Sequence, residues 1–136
     1  MKKPVTNLLT ALLIAFVPAI AGCQKAPING NLDGQWQITE TNPYPSDIII
    51  SGKLYYNFSL HICMLTYYDG WFMSGNMVYD GKRLSLEFPY ADTEEEMAIL
   101  KQYGIFSNPV TFEVNFPNKR TLILSNEEST VWLTKF

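Results

Sequence analysis

The run LYYNFSLHICM, residues 54–64, alternates apolar and polar side chains with a period of two. Leu54, Tyr56, Phe58, Leu60, Ile62 and Met64 fall on one face, and Tyr55, Asn57, Ser59, His61 and Cys63 on the other, which is the signature of a long strand with one buried side. A helix would spread the same apolar residues around its whole circumference. The rhythm returns in Trp71, Met73, Gly75, Met77 and Tyr79, in Leu84, Leu86 and Phe88, in Val110, Phe112, Val114 and Phe116, in Leu122 and Leu124, and in residues 131–136. Between these runs stand Asp69-Gly70, Asp80-Gly81 and Pro117-Asn118, turn formers that reverse the chain sharply. With residues 34–41 and a short strand at 47–51, the chain reads as seven or eight strands.

Strands joined by such short connections form an antiparallel meander, either a barrel or a sandwich. Closure is favoured because it removes the exposed edges of strands that are strongly apolar on one face. One segment breaks the rhythm. Asp92-Thr93-Glu94-Glu95 has the form of a helix N-cap followed by acids, MAILKQY continues with helical spacing, and Gly104 is suited to end it. The expected fold class is therefore all-β, an antiparallel up-and-down barrel of seven or eight strands with one short helix. Met97, Leu100 and Tyr103 of that helix, with Ile105 and Phe106 after it, either cover the barrel mouth as a lid or join the core.

The N-terminus carries a different signal. Lys2 and Lys3 precede an apolar run from Leu8 to Ala21, the layout of a secretory leader. As a helix those 14 residues rise about 21 Å, short of the ~30 Å hydrocarbon core of a bilayer. The leader ends in Ile20-Ala21-Gly22-Cys23, which resembles the bacterial lipobox. That resemblance implies cleavage before Cys23, acylation of its sulfur and amine, and a membrane partner engaged through two or three acyl chains, enough for firm anchoring. The implied organisation is a signal peptide at 1–22, a lipidated cysteine and tether at 23–31, and a domain at 32–136. Cys63 is then left without a disulfide partner and reads as a small buried residue. Removing the leader leaves 114 of the 136 residues, enough for one small core, and shifts the formal net charge from −3 to −5 as two lysines leave. The tether QKAPINGN lacks the acidic run associated with surface export in such lipoproteins, which points to the cell envelope and an outer-membrane position facing the periplasm.

Leu32-Asp33-Gly34-Gln35-Trp36-Gln37-Ile38, placed just after the tether and ahead of the meander, resembles the G-x-W opening strand of the lipocalin group. The order of tether, "LDGQWQI", "YYNFSLHICML" and terminal "WLTKF" is similar to that of the short lipocalin-like lipoproteins of Bacteroides-type bacteria, over essentially the whole mature chain. The resemblance implies a barrel closed at its floor by Trp36, with a basic residue of the last strand, here Lys135, over the indole. It departs from the group in its mid-chain helix and in lysine standing where arginine is common.

An eight-stranded barrel either fills with side chains or holds one small ligand. Two function classes follow. In the first, a tethered module binds a small apolar or amphipathic ligand inside the barrel, with Tyr56, Met73, Met77 and Tyr79 as the candidate ligand-binding residues, adaptable sulfurs beside polar phenol handles. In the second, a solid barrel presents its loops, helix or outer aromatics Trp132, Phe136 and Tyr55 to another envelope protein. Other classes find little support. Phosphate binding needs clustered cations, and only Lys82-Arg83 and Lys119-Arg120 are adjacent basic pairs after the leader, so nucleic acid is excluded as a partner. His61 is the sole histidine and has no acid at a motif spacing, so no enzyme activity is expected. Glu94, Glu95 and Glu96 splay around a helix and favour its positive N-terminus instead of converging on an ion, and no Cys or His spacing suits zinc; no metal or other cofactor is expected.

Overall fold

The computed structural model describes residues 28–68 and 70–136. The leader, Cys23, most of the tether and Asp69 lie outside the described residues. A 3₁₀ turn at Gly30–Leu32 leads into β1 (Gly34–Asn42), β2 (Leu54–Ser59), β3 (Ile62–Tyr67), β4 (Gly70–Tyr79) and β5 (Arg83–Glu87). Helix α1 (Glu94–Gln102) follows, then β6 (Val110–Asn118), β7 (Thr121–Ser125) and β8 (Thr130–Lys135). Each strand pairs antiparallel with the next, and β8 returns to β1, closing an eight-stranded up-and-down barrel. Strand direction gives the barrel two ends. The 3₁₀ turn and the β2–β3, β4–β5 and β6–β7 turns form a floor; the β1–β2 loop, the β3–β4 turn, residues 88–109 with α1, and the β7–β8 turn form a mouth.

The alternation read from the sequence sets most of the core. Tyr56, Phe58, Leu84, Leu86, Phe88, Phe112, Leu122, Leu124, Val131 and Leu133 are all buried. The backbone departs from simple alternation at a tight reversal and at bulges in β1, β4 and β6. The single strand expected over residues 54–64 is two strands joined by a tight turn at Leu60-His61, where Leu60 takes a φ of 55°. Asn29 holds that turn by donating from Nδ2 to the Leu60 carbonyl at 2.8 Å. The reversal flips the faces: Cys63 and Leu65 point inward while Ile62 and Met64 point out. His61 and Cys63 therefore do not share a strand face, because His61 stands exposed in the turn.

A bulge in β4 places one extra residue between the pairs Leu65–Met73 and Thr66–Trp71. The extra residue, Phe72, turns toward the core, so Trp71, expected inside, is exposed. A second bulge at Thr39 lies between the pairs Ile38–Leu133 and Glu40–Trp132. The strand expected at residues 47–51 does not form. Those residues belong to the β1–β2 loop, and the Ile49 and Ile50 amides donate to the side chain of Gln102 instead of to a neighbouring strand.

Helix α1 begins with a reciprocal cap one residue later than the sequence suggested. Thr93 Oγ1 accepts from the Glu96 amide at 3.1 Å, and Glu96 Oε1 accepts from the Thr93 amide at 3.2 Å. Hydrogen bonding from the Thr93 side chain holds the Glu96 carboxyl below the usual carboxylate range. The helix ends at Gly104, whose φ of +81° suits glycine. A Cβ at this position would run into Val131, and Ser129 Oγ donates to the Gly104 carbonyl. The chain thus turns from helix into barrel through a gap with no spare volume. Gly75 is tight in another way: its Cβ would lie 2.6 Å from the Glu87 carbonyl and 2.7 Å from the Phe88 ring.

Gly104→Ala should destabilise the domain by about 2 kcal/mol or more, since it combines left-handed strain with overpacking. Urea titration of the purified domain measures this, and an unchanged midpoint would contradict the packing described.

Alkaline pH tests the interior as a whole. Burial pushes the Cys63 thiol and the Tyr56 and Tyr103 phenols above their ordinary values of 9.0, 10.0 and 10.0. Their contribution is fully present below those ordinary values and is lost as pH rises above them, because the unfolded chain then releases protons that the folded chain retains. The urea midpoint should accordingly fall between pH 8 and about pH 11.

Candidate functional site

At the floor, the geometry is one of closure. Trp36 is fully buried and donates from Nε1 to the Leu32 carbonyl at 2.8 Å, so the 3₁₀ turn lies beneath its indole. Phe116 packs against it with ring centroids 6.0 Å apart. Lys135 Nζ sits 5.1 Å from the ring centroid and donates to the Asn31 carbonyl at 3.0 Å. The ammonium is thus shared between an aromatic face and the turn that seals the floor, an arrangement worth roughly 0.5 to 2 kcal/mol for the cation–aromatic part alone.

Above this seal the barrel is packed. Tyr56, Met73 and Met77 are 0%, 4% and 2% exposed, and they share the interior with Phe58, Leu65 and Leu86. The helix segment completes the filling: Leu100, Tyr103 and Ile105 are buried. Tyr56 Oη donates to the Tyr103 carbonyl at 2.6 Å, and Tyr103 Oη donates to the Thr66 carbonyl at 2.7 Å. Phe72, the bulge residue, stacks on Tyr103 with centroids 6.0 Å apart and planes inclined by 11°. Every buried side-chain nitrogen or oxygen among the described residues already has a hydrogen-bond partner. Tyr79 lies apart from the other three candidates, near the floor, half-buried, with its hydroxyl donating to the Gly81 carbonyl at 3.1 Å. Burial, followed by the nearby Asp80 carboxylate, raises its phenol above the ordinary value. The four residues singled out from the sequence are therefore not gathered around one open space.

Open space lies instead at the mouth, on either side of the β1–β2 loop. A groove of about 380 Å³ runs between that loop and β1, with Ile38, Ile50 and Leu54 as its apolar base and Thr41, Lys53 and Tyr44 at its edge. On the other side of the loop a wider depression of about 630 Å³ is walled by Tyr67, Tyr68, Trp71, Phe72 and Ile99. Ile50, Ser51 and Gly52 border both.

One side chain holds the loop between these spaces. Gln102, 4% exposed at the end of α1, accepts from the Ile49 and Ile50 amides at 2.7 and 2.9 Å and donates to the Ile50 carbonyl at 2.8 Å. This amide mimics a strand neighbour for a loop that has none. Sequence reasoning missed Gln102. Its signal was an uncharged polar residue flanked by Leu100 and Tyr103 on a short helix whose exposed positions are charged. Among the described residues no group of three or more His, Cys, Asp or Glu side chains is placed to hold a metal ion, and no helix is long and apolar enough to cross a membrane.

Gln102→Ala should leave the barrel folded while freeing the loop. Amide hydrogen exchange at Ile49 and Ile50 should accelerate at least tenfold, matching the loss of about 1.4 kcal/mol or more from two amides sharing one acceptor. Unchanged exchange would mean that something other than Gln102 restrains the loop.

Comparison with solved structures supports the architecture. A lipocalin-like protein from Bacteroides uniformis superposes with a TM-score of 0.58 at 22% identity, covering 79% of this chain and all of the other. An uncharacterized protein from Bacteroides eggerthii gives a TM-score of 0.54 at 16% identity, over 76% of this chain and 98% of the other. At such identities the likeness speaks to fold alone. No curated protein sequence matches the chain significantly. The family model described as a lipocalin-like domain matches residues 18–136, and the chain belongs to that family.

Proposed function

We propose that this protein is a lipid-anchored binding module of the bacterial cell envelope, held in the outer membrane through Cys23 and facing the periplasm, that takes a small amphipathic ligand at the barrel mouth. The observation that carries this reading is the groove of about 380 Å³ beside the β1–β2 loop. Its volume falls within the range of ~300 to 1,000 Å³ usual for small-molecule sites, and its apolar base with a polar edge suits a ligand with one greasy and one polar end. The packed interior argues for the mouth over the barrel centre as the place of binding. His61 stands in a floor turn, at the end of the barrel opposite the groove, and so supports a binding role over a catalytic one.

A second reading keeps the tether and replaces the small ligand with an envelope protein. It is favoured by the exposure of Tyr44, Tyr68 and Trp71, three large aromatics at the same end of the barrel. Aromatic residues of this kind serve as anchors in protein interfaces.

Native mass spectrometry of the purified domain, together with titration of 1-anilinonaphthalene-8-sulfonate, separates the two. Ile50→Trp would fill the base of the groove and should weaken probe binding at least tenfold with the fold intact. If probe binding is unchanged by Ile50→Trp but a co-purifying protein is lost from a Tyr68→Ala/Trp71→Ala variant, the second reading holds. The anchor has its own check. In the native host Cys23→Ser should move the protein from the membrane fraction to the soluble fraction and abolish incorporation of labelled palmitate.

A further inference from the structure

We propose that the floor of the barrel is a membrane-seating surface that rests on anionic phospholipid headgroups, so that the mouth points away from the bilayer. This inference rests on the anchor reading above. Three observations on the molecule carry it.

The first is where the chain leaves the barrel. Ile28 and the 3₁₀ turn lie across the floor: Asn29 donates to the Leu60 carbonyl of the β2–β3 turn, and Asn31 donates from Nδ2 to the Lys119 carbonyl of the β6–β7 turn at 3.2 Å. Five peptide steps separate Cys23 from Ile28, which even fully extended reach only about 18 Å. Acyl chains on Cys23 therefore hold the floor close to the headgroups whatever path the tether takes.

The second is apolar exposure at that end. Leu60, Ile62 and Val78 are 59%, 49% and 69% exposed. They adjoin one another, since Ile62 pairs with Asn76 and the Met77 amide donates to the His61 carbonyl, which sets Val78 beside the turn that carries Leu60. Ile28 is exposed across the same turn. These residues project from a barrel that gains nothing from them in its own core.

The third is the distribution of charge. The two adjacent basic pairs, Lys82-Arg83 and Lys119-Arg120, both fall at the floor, where Asp33 and Asp80 are the acids of the turns, and Glu113 faces Arg83 across the strand pair. The mouth carries Asp47, Asp92, Glu94, Glu95, Glu127 and Glu128 against Lys53 and Lys101. A chain with a net negative charge thus turns its basic end toward the bilayer and its acidic end away, the orientation that an anionic lipid surface selects.

The test uses mature lipidated protein in phosphatidylcholine vesicles containing phosphatidylglycerol, with one nitroxide label. The label is placed through Ile62→Cys or Val78→Cys at the floor, and through Tyr68→Cys or Tyr90→Cys at the mouth. Cys63 is buried and the Cys23 sulfur is acylated, so the engineered thiol takes the label. A nickel-chelating lipid then relaxes spins close to the headgroups. Floor labels should relax severalfold faster than mouth labels, and the contrast should shrink at least about twofold when phosphatidylglycerol is omitted or when Lys82→Glu/Lys119→Glu is introduced. Equal relaxation at the two ends, in protein that floats with the vesicles, overturns the seating while leaving the anchor standing. Wild-type protein that fails to float, like Cys23→Ser, overturns both.

Discussion

The pairing of β8 with β1 governs everything else in the molecule. Once Trp36 stands opposite Lys135, Ile38 opposite Leu133 and Thr41 opposite Val131, no strand edge is left open, and each inward residue has a fixed neighbour on both sides. The interior of an eight-stranded barrel is then a defined and small volume. What goes into it is a matter of supply: Trp36, Tyr56, Phe58, Phe88 and Phe112 take most of the space, and Tyr103 from the helix segment takes what remains near the mouth. The two-tyrosine chain from Tyr56 to the Tyr103 carbonyl and from Tyr103 to Thr66 lets large polar-tipped rings fill the mouth end without leaving a hydroxyl unpaired.

This filling decides the place of the helix. A lid opens without disturbing the core, whereas the segment from Leu100 to Ile105 is itself core, capped at its start by Thr93 and locked at its end by Gly104 against Val131. The loop with the slightest attachment to the barrel is the one between β1 and β2. Its backbone is carried by a single glutamine, and its edges border both open spaces at the mouth. Space for a ligand therefore arises at the surface between a rigid barrel and a loosely sewn loop, which is where a small closed barrel can still offer it.

The sequence made the inward set legible because period-two alternation survives wherever strands run straight: Leu84, Leu86 and Phe88, or Val110 and Phe112, needed no other information. It failed where the backbone changes phase. The turn at Leu60-His61 carries none of the usual turn residues; its left-handed position is occupied by leucine and supported by Asn29, some thirty residues upstream, so an unbroken alternating run concealed a reversal. The bulge that exchanges Phe72 for Trp71 is equally silent, since both residues are aromatic and either fits the pattern. The closure pair Trp36 and Lys135 was legible through a family resemblance carried by the opening strand. The mouth groove was not, because it is built by a loop with no periodicity and by Gln102, a residue whose role exists only once helix and loop are brought together.

The barrel's two ends differ in kind, and the difference follows from topology more than from any one residue. Even-numbered turns of an up-and-down meander must all lie at one end. Here those are all tight, at residues 60–61, 80–82 and 119–120, which leaves a compact rim where basic pairs and a few apolar tips sit side by side. The two long connections, residues 43–53 and 88–109, fall at the other end with the short β3–β4 and β7–β8 turns, and that end holds most of the acids, the helix and the open spaces. The described chain begins at the compact end, beneath Trp36, so under the proposed anchor a tether attached there would orient the molecule through sheer shortness. A ligand that reaches the mouth would then come from the aqueous side of the barrel and not from the bilayer directly beneath it, which favours soluble amphiphiles over membrane-resident lipids as its chemistry.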